Sequence, residues 1–160
     1  MNYCYLESPI GTLLIAGDAD TIREIHFPKN GMPVPPEPDW IESQRGPVAE
    51  AVRQLNEYFA GRRNDFDLPL APNGTEFQRT VWSRLQEIPY GETISYGELA
   101  KRVGNPKASR AVGAANGSNP IPIVIPCHRV IGSNGKLTGF GGGLPTKERL
   151  LALEAKQLGF

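Results

Sequence analysis

Ser95-Tyr96-Gly97-Glu98-Leu99-Ala100-Lys101-Arg102-Val103-Gly104-Asn105-Pro106-Lys107-Ala108-Ser109-Arg110 reads as two short helices joined by a tight turn. Ser95 followed three residues later by Glu98 has the form of a capping box, and the helix it opens runs through Val103 until Gly104 stops it. Asn105 then caps a second helix whose first residue, Pro106, needs no amide partner, and which is expected to run to about Gly117. Two helices around a glycine-containing turn have the geometry of a helix-turn-helix, a pattern that helical hairpins inside cores share.

The chain before this stretch has a different texture. Tyr3 to Leu6, Thr12 to Ala16 and Thr21 to Phe27 are β-type runs broken by Ser8-Pro9, Gly11 and Gly17-Asp18, which predicts a small antiparallel meander. Pro28, Pro33, Pro35, Pro36 and Pro38 make residues 28 to 40 an exposed loop. Pro47 opens a helix in which Val48, Val52, Leu55, Tyr58 and Phe59 fall at three- and four-residue spacings up to Gly61, enough to cover one face of the sheet. Pro69, Pro72 and Gly74 mark a linker, so the chain is divided into residues 1–72 and residues 73–160. Thr75 to Ile88 follows as a helix with Phe77, Val81, Leu85 and Ile88 on one face, halted by Pro89-Tyr90-Gly91. The fold class is α/β (α+β): a small antiparallel-sheet N-terminal domain with one helix, then a mainly helical domain resembling a winged helix-turn-helix.

Lys plus Arg and Asp plus Glu both number 17, so contact with nucleic acid must come from local clustering of charge. From Trp82 to Arg129 the basic residues Arg84, Lys101, Arg102, Lys107, Arg110 and Arg129 face only Glu87, Glu92 and Glu98, whereas residues 37 to 67 are rich in acids. A modestly basic face in the second half follows, and an ordinary solvated surface has the same composition. No apolar run approaches the roughly 20 residues that cross a bilayer, and Met1-Asn2-Tyr3-Cys4 has no basic or apolar leader, so a cytoplasmic protein without a membrane partner is expected. Cys4, His26, Cys127 and His128 are the complete set of thiols and imidazoles. A zinc site would consume the pair best suited to chemistry, so neither a metal nor a cofactor is expected.

That pair stands after Ile121 to Ile125, an apolar run expected to form a strand buried on both faces and to deliver Pro126-Cys127-His128-Arg129 at its end. A histidine and an arginine beside Cys127 make an electropositive setting that lowers a thiol pKa, while a buried cysteine can equally be a small core residue. Adjacent side chains of an extended segment point to opposite sides, so Cys127 and His128 need a bent backbone or a bridging water to communicate, and the water is expected. Val130-Ile131 and Leu137 flank Ser133-Asn134-Gly135, the sequence of a tight hairpin. In the last helix, Thr146 to Gln157, Glu154 lies on the stripe of Leu150, Leu151 and Leu158, and a carboxylate there requires a partner. His128 fits, because a Cys, His and Glu relay activates a weak nucleophile near neutral pH; a salt bridge to lysine or arginine fits as well. Gly139 to Gly143 lacks the spacing of a phosphate loop and suits either a thin wall against which a planar base slides or a flexible linker.

Pro126-Cys127-His128-Arg129-Val130-Ile131, preceded by Asn119-Pro120-Ile121-Pro122 and followed by Gly141-Gly142-Gly143-Leu144, resembles the signature of the O6-alkylguanine-DNA alkyltransferases. The likeness runs over residues 75 to 160 through Pro89 to Thr93, Ser95 to Ala100, Asn105 to Gly113 and Lys147 to Leu151. Residues 1 to 70 resemble the family's variable N-terminal domain loosely, chiefly at Ser8 to Gly11 and Leu55 to Gly61. The resemblance implies a DNA repair methyltransferase that binds double-stranded DNA as a monomer through the minor groove and flips out O6-alkylguanine, with O4-alkylthymine as a second substrate. Cys127 would take the alkyl group irreversibly, once per molecule, while His128 receives its proton through water and Glu154 orients the imidazole. Asn119 would brace the turn that holds the cysteine, and Tyr96 would hydrogen-bond the guanine N3 as the base leaves. Val130, Phe140, Gly141 and Pro122 would line the base, with backbone at Val130 and Gly141 reading its edges. Arg110 would fill the vacated stack, with Asn105, Ala108, Ser109 and Ser133 against the DNA. Phe140 and Gly141 stand where some relatives have tyrosine and serine, and Asn116-Gly117 where others have bulkier pocket residues. Two other readings are a lesion-sensing DNA-binding module, whose cysteine position carries a different residue, and a Cys-His hydrolase, for which no clear oxyanion hole can be read.

Overall fold

The computed structural model describes residues 1–135, 137, 140 and 142–157. Contacts divide the chain into two compact units, Met1–Asn73 and Gly74–Phe160.

In the first unit, β1 (Asn2–Ser8) and β2 (Gly11–Gly17) form an antiparallel hairpin in register from Asn2↔Gly17 to Ser8↔Gly11, and β3 (Ile22–His26) continues it on the far side of β2. The ladder shifts at Ala16 and Gly17, where a Cβ on Gly17 would lie 2.1 Å from the Thr21 carbonyl oxygen, so only glycine permits this turn. The meander is not purely antiparallel. After the proline-rich loop, β4 (Ile41–Glu42) adds to β1 in parallel, giving the order β3-β2-β1-β4, and two residues are too few for a sequence signal. Helix α1 (Gly46–Phe59) packs Val48, Ala51, Leu55 and Tyr58 on the sheet, while Val52 and Phe59, expected in the core, are half-buried at its margin. Gln54 is buried among them because its amide exchanges hydrogen bonds with the Asp67 backbone, at 2.9 Å to the carbonyl and 2.8 Å from the N–H. The expected linker is partly tied down: Ile22 N donates to the Pro69 carbonyl and Ala71 N to the Ile22 carbonyl, a one-residue extension of the sheet edge.

In the second unit, α2 (Glu76–Leu85) starts at a complete capping box between Thr75 and Gln78. It buries Val81, Trp82 and Leu85, with the Trp82 indole N–H donating to the Ala115 carbonyl at 2.8 Å. Phe77, expected in the core, is exposed; at about 100° per residue it falls roughly 90° from the centre of the arc that Val81, Trp82 and Leu85 define. Strand β5 (Ile94–Ser95) leads into α3 (Tyr96–Arg102), where the Ser95 hydroxyl accepts from Glu98 N while the Glu98 carboxylate accepts from Arg102. Helix α4 (Ser109–Gly117) packs on both α2 and α3. It begins later than expected: Asn105 does not cap it, because the Asn105 carbonyl accepts from Ala108 N in a separate turn containing Pro106 and Lys107, and Ala108 is the residue before the helix.

The largest departure is Ile121 to Ile125. It is buried as expected but is a turn and not a strand: Ile125 N donates to the Ile121 carbonyl at 2.9 Å and Ile123 has φ +74°. Pro120 and Pro122 offer no N–H to a ladder, and the Asn119 side chain bridges Ile121 N and the Ile125 carbonyl, which holds the β-branched Ile123 in a region it rarely enters. Strand β6 (Val130–Ile131) pairs in parallel with β5, and among the described residues no pairing with Leu137 is seen; the tight turn itself is present, closed by Gly135 N donating to the Gly132 carbonyl. Helix α5 (Leu144–Gln157) buries Lys147, Leu150 and Glu154, Leu151 is half-buried, and Leu158 lies outside the described residues.

Candidate active site

Cys127, His128 and Arg129 form a single 3-10 turn between the Ile121–Ile125 segment and β6. The backbone is therefore bent, and the extended geometry assumed from the sequence does not apply. Both backbone groups of Cys127 are fixed. Its N–H donates at 2.8 Å to the Ile125 carbonyl, which also accepts from Asn119 Nδ2 at 2.7 Å. Its carbonyl accepts from Asn116 Nδ2 at 3.3 Å and from Val130 N.

Residues in a 3-10 turn project about 120° apart, so the neighbours of Cys127 point away from it. They converge on Glu154, which α5 delivers into the core. Glu154 Oε2 accepts from His128 Nε2 at 2.6 Å and Arg129 Nη2 at 3.1 Å, and Oε1 from Arg129 Nε at 2.9 Å and Gly91 N at 3.0 Å. Both partners foreseen for this carboxylate, the imidazole and a cation, are engaged together. Arg129 is anchored further by donating to the Ile88 carbonyl at 2.7 Å and by lying over the Tyr90 ring. Burial pushes the Glu154 carboxyl up, but His128 and Arg129 outweigh it and hold it ionised, well below the usual carboxylate range. Burial, with Arg129 and Lys147 nearby, keeps the His128 imidazole neutral against the pull of Glu154. With Nε2–H donating to the carboxylate, Nδ1 carries the lone pair; it is buried and has no hydrogen-bond partner among the described residues.

The Cys127 thiol departs from expectation. Burial pushes it up to about 11, and what pulls it back is the Asn119 amide, the Lys147 ammonium and a backbone hydrogen bond rather than His128 and Arg129, whose donors go to Glu154 and the Ile88 carbonyl. The residue is 4% exposed. A thiol so placed is protonated near neutral pH and needs a base to become a nucleophile.

Lys147 was not singled out by sequence reasoning. It lies two turns before Glu154 on the buried face of α5, donates to the Val130 carbonyl at 2.5 Å and sits over the Tyr96 ring at 5.9 Å. Burial lowers its pKa and the nearby Cys127 raises it. The signal was available: Lys147 stands three residues before Leu150 and seven before Glu154, on the stripe that carried the argument for Glu154.

Tyr96 is half-buried at the start of α3, its ring 3.7 Å from where a Cβ on Gly113 would sit. Val130 commits its N–H to the Cys127 carbonyl and its carbonyl to the Lys147 ammonium. Pro122 is buried in the turn before Cys127, Phe140 is half-buried, and Gly141 lies outside the described residues. Arg110 is exposed on the first turn of α4, with Ala108 and Ser109 half-buried beside it, Asn105 exposed in the preceding turn and Ser133 exposed in the turn after β6. Among the described residues no three His, Cys, Asp or Glu side chains are grouped as metal ligands.

Family models match both parts of the chain: the 6-O-methylguanine DNA methyltransferase DNA binding domain over residues 76–156 and the ribonuclease-like domain of the same proteins over residues 1–72. The chain belongs to the 6-O-methylguanine DNA methyltransferase family. It is 56% identical over 154 residues to the methylated-DNA–protein-cysteine methyltransferase of Methanosarcina acetivorans, covering 96% of this chain and 98% of that protein. Over 156 residues it is 52% identical to the protein of the same name from Mycolicibacterium paratuberculosis, covering 98% of this chain and 93% of that one. Among solved structures, Mycobacterium tuberculosis OGT in complex with DNA superposes with a TM-score of 0.90 at 46% identity, over 98% of this chain and 94% of that chain. With His128 Nε2 donating to the ionised Glu154, Nδ1 is left as a proton acceptor on the residue next in sequence to the Cys127 thiol.

Proposed function

We propose that this chain repairs alkylated DNA by transferring the alkyl group of O6-alkylguanine to Cys127. The observation that carries the reading is the buried His128–Glu154 pair, with Nδ1 of the imidazole left as the acceptor one residue from a protonated thiol. The Cys127 S–H proton passes to His128 Nδ1 through a water, and Glu154, held by Arg129, stabilises the imidazolium that forms. Sulfur attacks the alkyl carbon in line; the S–C bond forms as the C–O6 bond breaks, and the electron pair leaves with the guanine. Tyr96 donates a hydrogen bond to N3, and the proton that His128 took from sulfur passes through water to the departing base, which leaves neutral. A thioether is stable to hydrolysis, so each molecule acts once. O4-alkylthymine, which offers the same alkyl–oxygen bond, is a second substrate by the same chemistry.

A guanine stacked in duplex DNA keeps its O6 substituent out of reach of a side chain fixed in a turn, so the base is flipped. Helix α4 approaches the minor groove through Ala108 and Ser109, Arg110 fills the stack, and Asn105 and Ser133 contact the backbone. Val130, Pro122, Phe140 and Gly141 line the base. The protein works as a monomer on double-stranded DNA. No helix among the described residues is long and apolar enough to cross a membrane. Cys4 and Cys127 are both free, which suits the reducing cytoplasm where we place it. The test is stoichiometry: titrating the protein with a duplex bearing one labelled O6-methylguanine should move one label per protein and then stop, whereas continued turnover or label left on the DNA would refute the reading.

A further inference from the structure

Asn116 is buried in the last turn of α4, and its position there is unusual for an amide. Its Nδ2 donates to the Cys127 carbonyl, while its Oδ1 is buried with no partner among the described residues. A leucine of similar size would leave no oxygen stranded, so the amide stands there for its donor. With Asn119 it brackets the cysteine: Asn119 acts on the amide side of Cys127 through the Ile125 carbonyl, and Asn116 acts on the carbonyl side directly. The two constraints are not equivalent. Asn119 lies beyond the end of α4, whereas Asn116 is part of the helix whose opposite end exposes Arg110. The C-terminal turn of α4 is itself fastened to α2, by Trp82 on the Ala115 carbonyl and Gln78 on Ser118.

We infer that Asn116 is a positioning residue that references the Cys127 turn to α4, so that a base presented by DNA bound on that helix meets the sulfur in line. This rests on the proposed alkyl transfer. A guanine that reaches the site as a free base can reseat itself against a displaced sulfur. A guanine tethered to DNA cannot, because its backbone and the thiol are then both measured from α4, and small misalignments are costly in such a step.

The test compares single-turnover alkyl transfer from a duplex containing O6-methylguanine with transfer from free O6-benzylguanine, in wild type and Asn116→Leu, alongside the Kd for the duplex. The expected result is a fall of about tenfold or more with the duplex, a Kd within twofold of wild type, and a fall of less than about threefold with the free base. An equal fall with both substrates, or no fall, would overturn the inference, as would a loss explained by weaker DNA binding. If Asn116→Leu does not fold, Asn116→Ser, which keeps a shorter donor, should show the same unequal loss in milder form, and an equal loss there counts against the inference. Failure of the wild type itself to transfer would instead count against the proposed function.

Discussion

Replacing Glu154 by glutamine is the sharpest perturbation of this site. The substitution keeps the shape of a fully buried side chain and removes its charge. Glu154 accepts hydrogen bonds from His128, Arg129 and Gly91 through both of its oxygens, and glutamine can accept at only one end, so its NH2 group must face donors from either His128 and Arg129 or Arg129 and Gly91. Arg129 is 5% exposed and would be left as a buried guanidinium without a counter-charge. Removing one partner of a buried pair typically costs about 3–5 kcal/mol, which for a chain of this size lowers Tm by on the order of 10 °C. The sign with pH follows from the direction of the shift. The Glu154 carboxyl is held below its unfolded value, so its stabilisation is present above the unfolded carboxyl pKa of about 4.3 and is lost as pH falls towards the folded value. Denaturant unfolding from pH 7 to pH 3 should therefore show a wild-type advantage over Glu154→Gln that shrinks as acid is added. Alkyl transfer should fall at least 100-fold, since the imidazole loses the carboxylate that stabilises its cation. A variant of unchanged Tm, or an advantage that grows in acid, would refute this account of the network.

The pH profile of transfer to wild type is expected to be flat from about pH 7 to pH 9, because proton transfer from a thiol near 11 to a neutral imidazole conserves charge and its extent is independent of pH between the two pKa values. A rate rising tenfold per pH unit across that range would mean that the thiol ionises into solvent without His128. Cys127→Ala should bind duplex DNA within about threefold of wild type in a gel-shift titration and accept no alkyl group; transfer by this variant would show that another nucleophile acts. Arg110→Ala should lose at least tenfold in transfer from duplex DNA and less than twofold from free O6-benzylguanine, and equal losses would remove its part in extrusion.

The residues that were legible in the sequence owe it to local rules. The β1–β2 hairpin, the Thr75 and Ser95 starts of α2 and α3, and the burial of Glu154 follow from breakers, caps and spacing that act within one element. What was not legible depends on competition between neighbours. The apolar run at Ile121–Ile125 was read as a strand, yet two prolines and one asparagine side chain turn it back on itself, and this also bends the backbone at Cys127. Asn105 carries the residue type of a cap but uses its carbonyl to close a turn, so α4 starts three residues later. Adjacency in sequence suggested that the charges of His128 and Arg129 would lower the thiol pKa, and the 3-10 turn instead places His128 Nε2 and the Arg129 guanidinium on Glu154, leaving His128 with Nδ1 as a proton acceptor. Lys147, which sits closer in effect to Cys127 than either, comes from an element twenty residues away and could have been found only by treating a lysine on an apolar stripe as seriously as a glutamate.

The most direct test is the intact mass of the protein after incubation with O6-benzylguanine, followed by peptide mapping. The account requires one benzyl group per chain, carried on the sulfur of Cys127, with free guanine released in equal amount. An unchanged mass, or a benzyl group found on Cys4, would contradict it.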